Sequence, residues 1–127
     1  MQGLFHVWFS VKHRRDALWD EVRDYVKTSI RRSALRAGVE LVEIEAISDH
    51  VHILVRLHRE QTLASAIHRL KGASAREILL KYPELKLDIG HQSLWQRGYG
   101  WRRIDEAELF KVRNYIRTQE LRPLRHQ

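Results

Sequence analysis

The stretch VELVEIEAISDHVHILVRL, residues 39–57, carries two β-strand patterns that meet at a short polar turn, Ser48-Asp49. Val39 to Ile47 carries acidic residues among apolar ones, and the run that begins at His50 alternates polar and apolar side chains except at Leu54. Two such runs joined by so short a turn predict an antiparallel hairpin. On the first strand, the residues expected to share the apolar face are Val42, Ile44 and Ala46.

Two histidines separated by one valine define the second strand of this hairpin. Because side chains alternate between the two faces of a strand, His50 and His52 point the same way. The opposite face is apolar and consists of Val51, Ile53, Val55 and Leu57. A pair of imidazoles on the face away from the core is an arrangement that a divalent metal ion requires. A solvated strand face is the alternative that this pattern alone leaves open.

Apolar periodicity predicts five or six further elements along the rest of the chain. They are a strand at Leu4 to Val11, helices at Trp19 to Ala37 and Gln61 to Lys81, one or two short strands within Ser93 to Ile104, and a last helix from Glu106 to Leu121. This order predicts an α+β fold of the ferredoxin-like split βαβ type, with an antiparallel four- to five-stranded sheet and two helices on one face. The C-terminal helix is additional to that plan and can reach the other face.

The composition is that of a basic chain without cysteine. The 127 residues include 23 Lys and Arg against 16 Asp and Glu, which gives a net charge of +7. A chain of this length is expected to form one domain, residues 1–127. Its charge favours a polyanionic partner, of which nucleic acid is the commonest. The lack of cysteine, of a membrane-spanning apolar run and of a signal peptide predicts a protein of the cytoplasm.

The C-terminal helix carries a tyrosine and a glutamine one turn apart. Its expected core stripe is Leu109, Val112 and Ile116, and Tyr115 and Gln119 point the same way from the edge of this stripe. Together with two histidines they form a set suited to phosphodiester chemistry. Imidazole and amide groups can hold a divalent ion that polarises a phosphate. A phenol that gives up its proton is a competent nucleophile.

Five segments of the chain together resemble one family. They are SDHVHILV, FHVWFSVKHRR, RLKGASAREILLKYPEL, LWQRGY and YIRTQ, and they extend over nearly the whole sequence. Each is short, but their common order and spacing make the match specific. The chain resembles the histidine–hydrophobic–histidine (HUH) transposases with a single tyrosine. These are the TnpA type of small bacterial and archaeal insertion sequences, and their relatives include the REP-associated tyrosine transposases.

The resemblance implies a metal-dependent transposase that acts on single-stranded DNA. In such a protein His50, His52 and Gln119 would be the ligands of Mg²⁺ or Mn²⁺. Tyr115 would be the nucleophile that forms a 5′-phosphotyrosine and frees a 3′-hydroxyl for strand transfer. The resemblance also implies a homodimer that recognises hairpins at the element ends, with composite active sites in which the tyrosine helix serves the partner's histidines. No nucleotide cofactor is expected, because the covalent link conserves the phosphodiester energy and the sequence has no Gly-rich phosphate-binding loop.

Basic residues near the expected site are the candidates for contacts with the DNA backbone. They are Lys12, Arg14, Arg15, Arg97, Arg102 and Arg103. Trp95 and Trp101 are candidates for stacking on bases, although packing in the core would suit them equally. The other histidines, His6 among them, are scattered along the sequence and are assigned no chemical role.

Two other functions fit parts of the sequence. A domesticated relative would use the same chemistry as an HUH nuclease on palindromes of host DNA, and it would lack flanking element ends. A non-catalytic ferredoxin-like module would instead bind single-stranded nucleic acid on an open sheet face, which requires exposed aromatic residues such as Trp8 and no metal. The intact set of His50, His52, Tyr115 and Gln119 argues against the non-catalytic module.

Overall fold

The computed structural model describes residues 2–14, 16–89 and 93–119. One sheet contains the strands β1 (Gly3–Ser10), β2 (Glu40–Ile47), β3 (His50–Leu57) and β4 (Gly100–Ile104) in the order β2-β3-β1-β4. The helices are α1 (Asp20–Ala37), α2 (Leu63–Lys81), α3 (Leu85–Ile89) and α4 (Leu109–Arg117), with 3₁₀ turns at Lys12–Arg14 and Glu106–Glu108. No helix within the described ranges is long and apolar enough to cross a membrane.

All neighbouring strands of the sheet are antiparallel. The central strands β1 and β3 pair along their whole length, from Gly3 opposite Leu57 to Ser10 opposite His50. This strand order, with α1 and α2 connecting the strands, is the predicted ferredoxin-like arrangement. The prediction of an α+β fold with an additional C-terminal helix is confirmed.

Local signals in the sequence set the ends of the long helices. Gly38 follows α1 with φ 68°, and its N–H caps the carbonyls of the last turn. At the start of α2, the Thr62 hydroxyl accepts a hydrogen bond from the Ser65 N–H at 3.2 Å. Before α4, the Glu108 carboxylate accepts a hydrogen bond from the Asp105 N–H at 3.0 Å, which forms the capping box that the sequence predicts.

The main hydrophobic core lies between α1, α2 and one face of the sheet. The alternate residues of β3 that were expected to face a core are all buried in it, namely Val51, Ile53, Val55 and Leu57. From the helices, Val26 and Ile30 of α1 and Ile67 and Leu70 of α2 close this core and are fully buried. The spacing of these residues at three and four positions explains why both helices turn one apolar stripe to the sheet.

The second face of the sheet is partly covered by α4. Val112 and Ile116 pack there against Leu4, Leu54 and Ile104 in a smaller hydrophobic cluster. The prediction that the C-terminal helix can reach this face is therefore confirmed. Beside this cluster the same face carries the buried His6 and His52 and the exposed Trp8.

A β-bulge on β2 corrects one detail of the predicted hairpin. Leu41 pairs with Val55 and Glu43 pairs with Leu54, so Val42 has no partner in the register. The expectation that Val42 shares a face with Ile44 was wrong, because an inserted residue reverses the alternation at that point. Val42 packs instead with the cluster under α4.

Glu43, which follows the bulge, connects β2 to α4. Its carboxylate accepts hydrogen bonds from Nε of Arg113 and Nε of Arg117, each at 3.2 Å. Burial by itself would raise the pKa of the Glu43 carboxyl, but hydrogen bonds from the Ile44 N–H, Arg113 and Arg117 outweigh burial and lower the pKa below its ordinary value. The carboxylate is therefore charged at neutral pH and holds α4 on the sheet.

Replacing Glu43 by Gln should loosen α4, because an uncharged amide cannot form ion pairs with the two guanidinium groups as the carboxylate does. We expect the free energy of unfolding at pH 7 to fall by about 1–2 kcal/mol, since both arginines are partly exposed and screened. Amide hydrogen exchange in α4 should accelerate more than in α1. The carboxylate contributes stability above the unfolded pKa of 4.5 and loses it as the pH falls below that value, so the difference between the proteins should vanish in acid. The exposed Glu60→Gln is the matched control and should leave α4 exchange unchanged.

Candidate active site

A row of imidazole rings lies on the second sheet face, beside α4. Nε2 of His50 lies 3.1 Å from Nε2 of His52 on the same strand. On the outer side, Nδ1 of His50 lies 2.7 Å from a carboxylate oxygen of Asp49. The predicted alternation of β3 thus brings the two histidines together, and the turn residue before them supports the first ring.

His6 of β1 extends this row. Its Nε2 lies 3.0 Å from Nδ1 of His52, so that His52 is held on both ring nitrogens. The prediction that both histidines look outward needs a correction for His52, which is only 8% exposed. Sequence reasoning assigned His6 no chemical role. Alternation places His6 on the correct face, but only the pairing of β1 with β3 brings it to His52.

The partners of the Nδ1 atoms determine which ring nitrogens are available to a cation. A carboxylate only accepts hydrogen bonds, so Nδ1–H of His50 donates to Asp49, and Nε2 of the neutral ring is the nitrogen that keeps a lone pair. His52 reaches the same state when its Nδ1–H donates to Nε2 of His6. The two Nε2 lone pairs then converge at 3.1 Å, which is compatible with two nitrogens about 2.0–2.1 Å from one ion. This donor set fits a divalent metal ion.

Burial keeps the inner rings of the row uncharged. It lowers the pKa of His52 to about 3, and repulsion from the neighbouring imidazoles of His50 and His6, in their protonated forms, lowers it further. Burial, followed by the charge of Arg102, lowers the pKa of His6 to about 4. Both imidazoles are therefore neutral at pH 7, which is the form that can ligate a metal.

The phenol of α4 lies beside the histidine row. The Tyr115 ring centroid is 6.3 Å from that of His52 and 6.2 Å from that of His6, in the same chain. Gln119 follows one turn later, and its side-chain amide donates a hydrogen bond to the Tyr115 carbonyl at 3.1 Å. The structure thus brings His50, His52 and Tyr115 together, and it leaves Gln119 at the end of the helix with its amide turned back on the backbone.

The predicted metal ligands include only two strong nitrogen donors. Among residues 2–14, 16–89 and 93–119, no group of three or more His, Cys, Asp or Glu side chains is arranged to hold a metal ion. A third protein ligand next to His50 and His52 would therefore be of another type. The amide oxygen of Gln119 is such a ligand, and a change of its side-chain rotamer would free it from the backbone.

The basic candidates do not form one patch. Arg102 lies on the histidine face opposite His6, whereas its neighbour Arg103 stacks its guanidinium over Phe5 at 5.6 Å on the other face. Lys12 and Arg97 line a groove of about 590 Å³ between α2 and the segment before β4. Arg15 lies outside the described residues, and only the backbone of Arg14 is described. Trp95, a candidate for base stacking, is instead buried in the main core.

Comparison with known proteins shows the family to which this chain belongs. Residues 2–119 match the family described as Transposase IS200 like. The chain is 33% identical to the ISDra2 transposase TnpA of Deinococcus radiodurans over 91% of this chain and 82% of that protein. It is 28% identical to the transposase for insertion sequence element IS200 of Salmonella typhimurium, over 91% of this chain and 75% of that protein.

Solved structures agree with the sequence comparison. A crystal structure of a Deinococcus radiodurans protein assigned as a transposase matches with a TM-score of 0.76 and 31% identity, over 94% of this chain and 92% of that one. A REP-associated tyrosine transposase bound to a REP hairpin matches in fold with a TM-score of 0.65 and 14% identity, over 91% of this chain and 65% of that one. The protein belongs to the IS200-like transposase family and is a DNA-processing enzyme of the transposase class.

The buried histidines should make the fold sensitive to acid. The folded-state pKa values of His6 and His52 are about 4 and 3, against 6.5 for the unfolded chain. Between these values the unfolded state binds more protons, so the free energy of unfolding should fall as the pH is lowered from 6.5 to 4. In a buffer with chelator, His6→Gln should reduce this fall by on the order of 1–3 kcal/mol. Urea unfolding at several pH values measures the effect.

The control for this measurement is His68→Gln, because His68 is an exposed histidine on α2. It should leave the slope of stability against pH unchanged. Equal slopes for His6→Gln and the wild-type protein would contradict the assignment of the acid sensitivity to the histidine row.

Proposed function

We propose that this transposase cuts and rejoins single-stranded DNA through a covalent link to Tyr115, with His50, His52 and Gln119 holding Mg²⁺ or Mn²⁺. The observation that carries this proposal is the convergence of the two Nε2 atoms at 3.1 Å, with the Tyr115 ring 6.3 Å from that of His52. A phenol beside such a pair is suited to attack a phosphate.

The protein supplies the ligands and fixes their orientation. Asp49 and His6 hold the Nδ1 atoms of His50 and His52, so both Nε2 atoms point to one place. Gln119 would add its amide oxygen after releasing the Tyr115 carbonyl. When bound, the divalent ion would polarise the scissile phosphate and stabilise the charge that develops on it.

Tyr115 makes and breaks the covalent bond in this proposal. Its phenol loses a proton and its oxygen attacks the phosphorus atom, so that one P–O bond forms to the protein. The P–O bond to the 3′-oxygen breaks, and that oxygen takes up a proton and leaves as a free 3′-hydroxyl. Strand transfer reverses these steps with another 3′-hydroxyl. The number of phosphodiester bonds is conserved, and no nucleotide cofactor is needed.

The DNA substrate of the proposed reaction is a single strand that carries a hairpin. The net charge of +7 favours a polyanion, and a REP-associated tyrosine transposase of the same fold is bound to a REP hairpin. We further propose a homodimer with two sites. A domesticated relative would use the same site, and subterminal palindromes in the DNA that flanks the coding sequence would identify the mobile form.

Tyr115→Phe tests the nucleophile. The ring and its packing remain, but the variant has no phenolic oxygen and cannot form an ester. We expect cleavage and the covalent protein–DNA adduct to disappear on a denaturing gel with a labelled hairpin-bearing oligonucleotide. Binding of that oligonucleotide, in preference to a blunt duplex, should survive. An adduct that persists in Tyr115→Phe would show that another residue is the nucleophile, and Tyr99→Phe would then be examined.

Mixing two inactive variants tests whether the site is composite. In a heterodimer of Tyr115→Phe with the His50→Ala, His52→Ala double variant, composite sites would leave one site complete and activity would return after subunit exchange. If each tyrosine serves its own histidines, both sites stay broken and activity does not return. Tyr115 lies near the His52 of its own chain. No glycine lies between β4 and α4, so this connection lacks the residue that would most easily let α4 swing to a partner subunit.

Metal binding can be measured without the reaction. Titration of Mn²⁺ followed by electron paramagnetic resonance should show one strong site in the wild-type protein and none in the His50→Ala, His52→Ala variant. His6→Ala should weaken Mn²⁺ binding by about 10- to 100-fold, because the proton on Nδ1 of His52 loses its partner. The exposed His68→Ala serves as the matched control. Unchanged affinity in the double variant would remove these histidines as ligands.

A further inference from the structure

Trp8 is an aromatic residue beside the candidate site that has no part in the proposed chemistry. It lies on β1, opposite His52 on one side and Gly100 on the other. Its side chain is 37% exposed. Neither of the two hydrophobic clusters formed by the described residues includes it. The indole covers little of the core, so packing does not explain why a tryptophan occupies this position.

Gly100 creates the space in which the Trp8 ring lies. A Cβ atom at Gly100 would be 2.1 Å from Nε1 of the indole and 2.2 Å from Cε2. No side chain larger than hydrogen is compatible with this position of the indole, so the ring rests directly on the backbone of β4. The backbone of Gly100 therefore supports one side of the ring.

His6 lies beside the same ring, two residues earlier on the same face of β1. The two ring centroids are 4.9 Å apart and their planes are inclined by 57°. Because His6 itself is hydrogen-bonded to His52, the indole is confined between the histidine row and β4. An aromatic ring held in this way loses little side-chain entropy when a ligand stacks on it.

We propose that the exposed face of Trp8 is a stacking platform for one nucleobase of the single strand, next to the phosphate that is cut. This inference rests on the proposed function, because it requires a single strand at the histidine row. The indole and His52 centroids are 6.5 Å apart, so a base stacked on the indole would lie close to the histidine row. Stacking on an aromatic ring accepts any base, so Trp8 positions the strand without selecting its sequence.

The charge next to the platform suits the same partner. Arg102 pairs with His6 across β1 and β4 and lies on the same face. Its guanidinium is half-exposed and 3.7 Å from the Glu108 carboxylate, a contact that leaves donors for a phosphate. A base on Trp8 with an adjacent phosphate near Arg102 would use both the π face and the cation, as in other single-strand grooves.

The experiment compares two polymers of equal charge. Fluorescence anisotropy gives the affinity of the full chain for a labelled oligo-dT of about 20 nucleotides and for an abasic deoxyribose-phosphate strand of the same length. The wild-type protein should prefer oligo-dT. Trp8→Leu keeps an apolar cover over His52 but cannot stack, and it should reduce that preference by roughly 5- to 140-fold. Trp8→Phe should retain most of it.

Gly100→Ala provides an independent variant, because its methyl group must displace the indole. It should lower the preference for oligo-dT as Trp8→Leu does. Trp19→Leu is the matched control, since Trp19 is also exposed but precedes α1, and it should leave the preference unchanged. A wild-type preference retained in both Trp8→Leu and Gly100→Ala would overturn the platform alone. A wild-type protein that binds the hairpin-bearing oligonucleotide but neither polymer would also overturn the platform alone. A wild-type protein that binds none of the three would overturn the proposed function and the platform with it.

Discussion

The packing of α4 on the second face of the sheet is the interaction on which the candidate site depends. Val112 and Ile116 cover Leu54 in a cluster separate from the main core. The position of Val112 and Ile116 on the sheet determines the direction in which the Tyr115 side chain points, because adjacent helical residues are separated by a fixed rotation of about 100°. Tyr115 consequently stands beside His52. A helix docked one turn further along would carry the phenol away from the histidines.

Burial of the histidine row has a chemical consequence. An imidazole can ligate a cation only when it is neutral, and burial lowers the pKa of His52 to about 3. Two aromatic residues lie beside this ring, since Trp8 and Tyr115 have ring centroids 6.5 Å and 6.3 Å from it. The groups proposed to handle DNA are thus neighbours of the proposed ligand. The burial that keeps the His52 ring neutral at pH 7 also lowers the free energy of unfolding in acid.

Alternation of side chains on β3 separates stability from chemistry. Val51 and Ile53 belong to the main core, while His50 and His52 between and beside them face the site. Because β3 is an inner strand, paired with β1 and β2 along its length, its backbone is held rigidly from both sides. A pair of ligands on such a strand keeps its geometry without help from a loop.

The sequence alone determined the main strands and helices, the ferredoxin-like order and the pairing of His50 with His52, because these follow from local periodicity and capping; it did not predict the short helix α3. It also singled out Tyr115 on the helix that reaches the second face. Only the tertiary structure decided the contact of His6 with His52, the support of Trp8 by Gly100 and the reversal of Val42 at the bulge. Each of these depends on the register between strands distant in sequence. Local patterns carry no information about register, which is set when both faces of the sheet are packed at once.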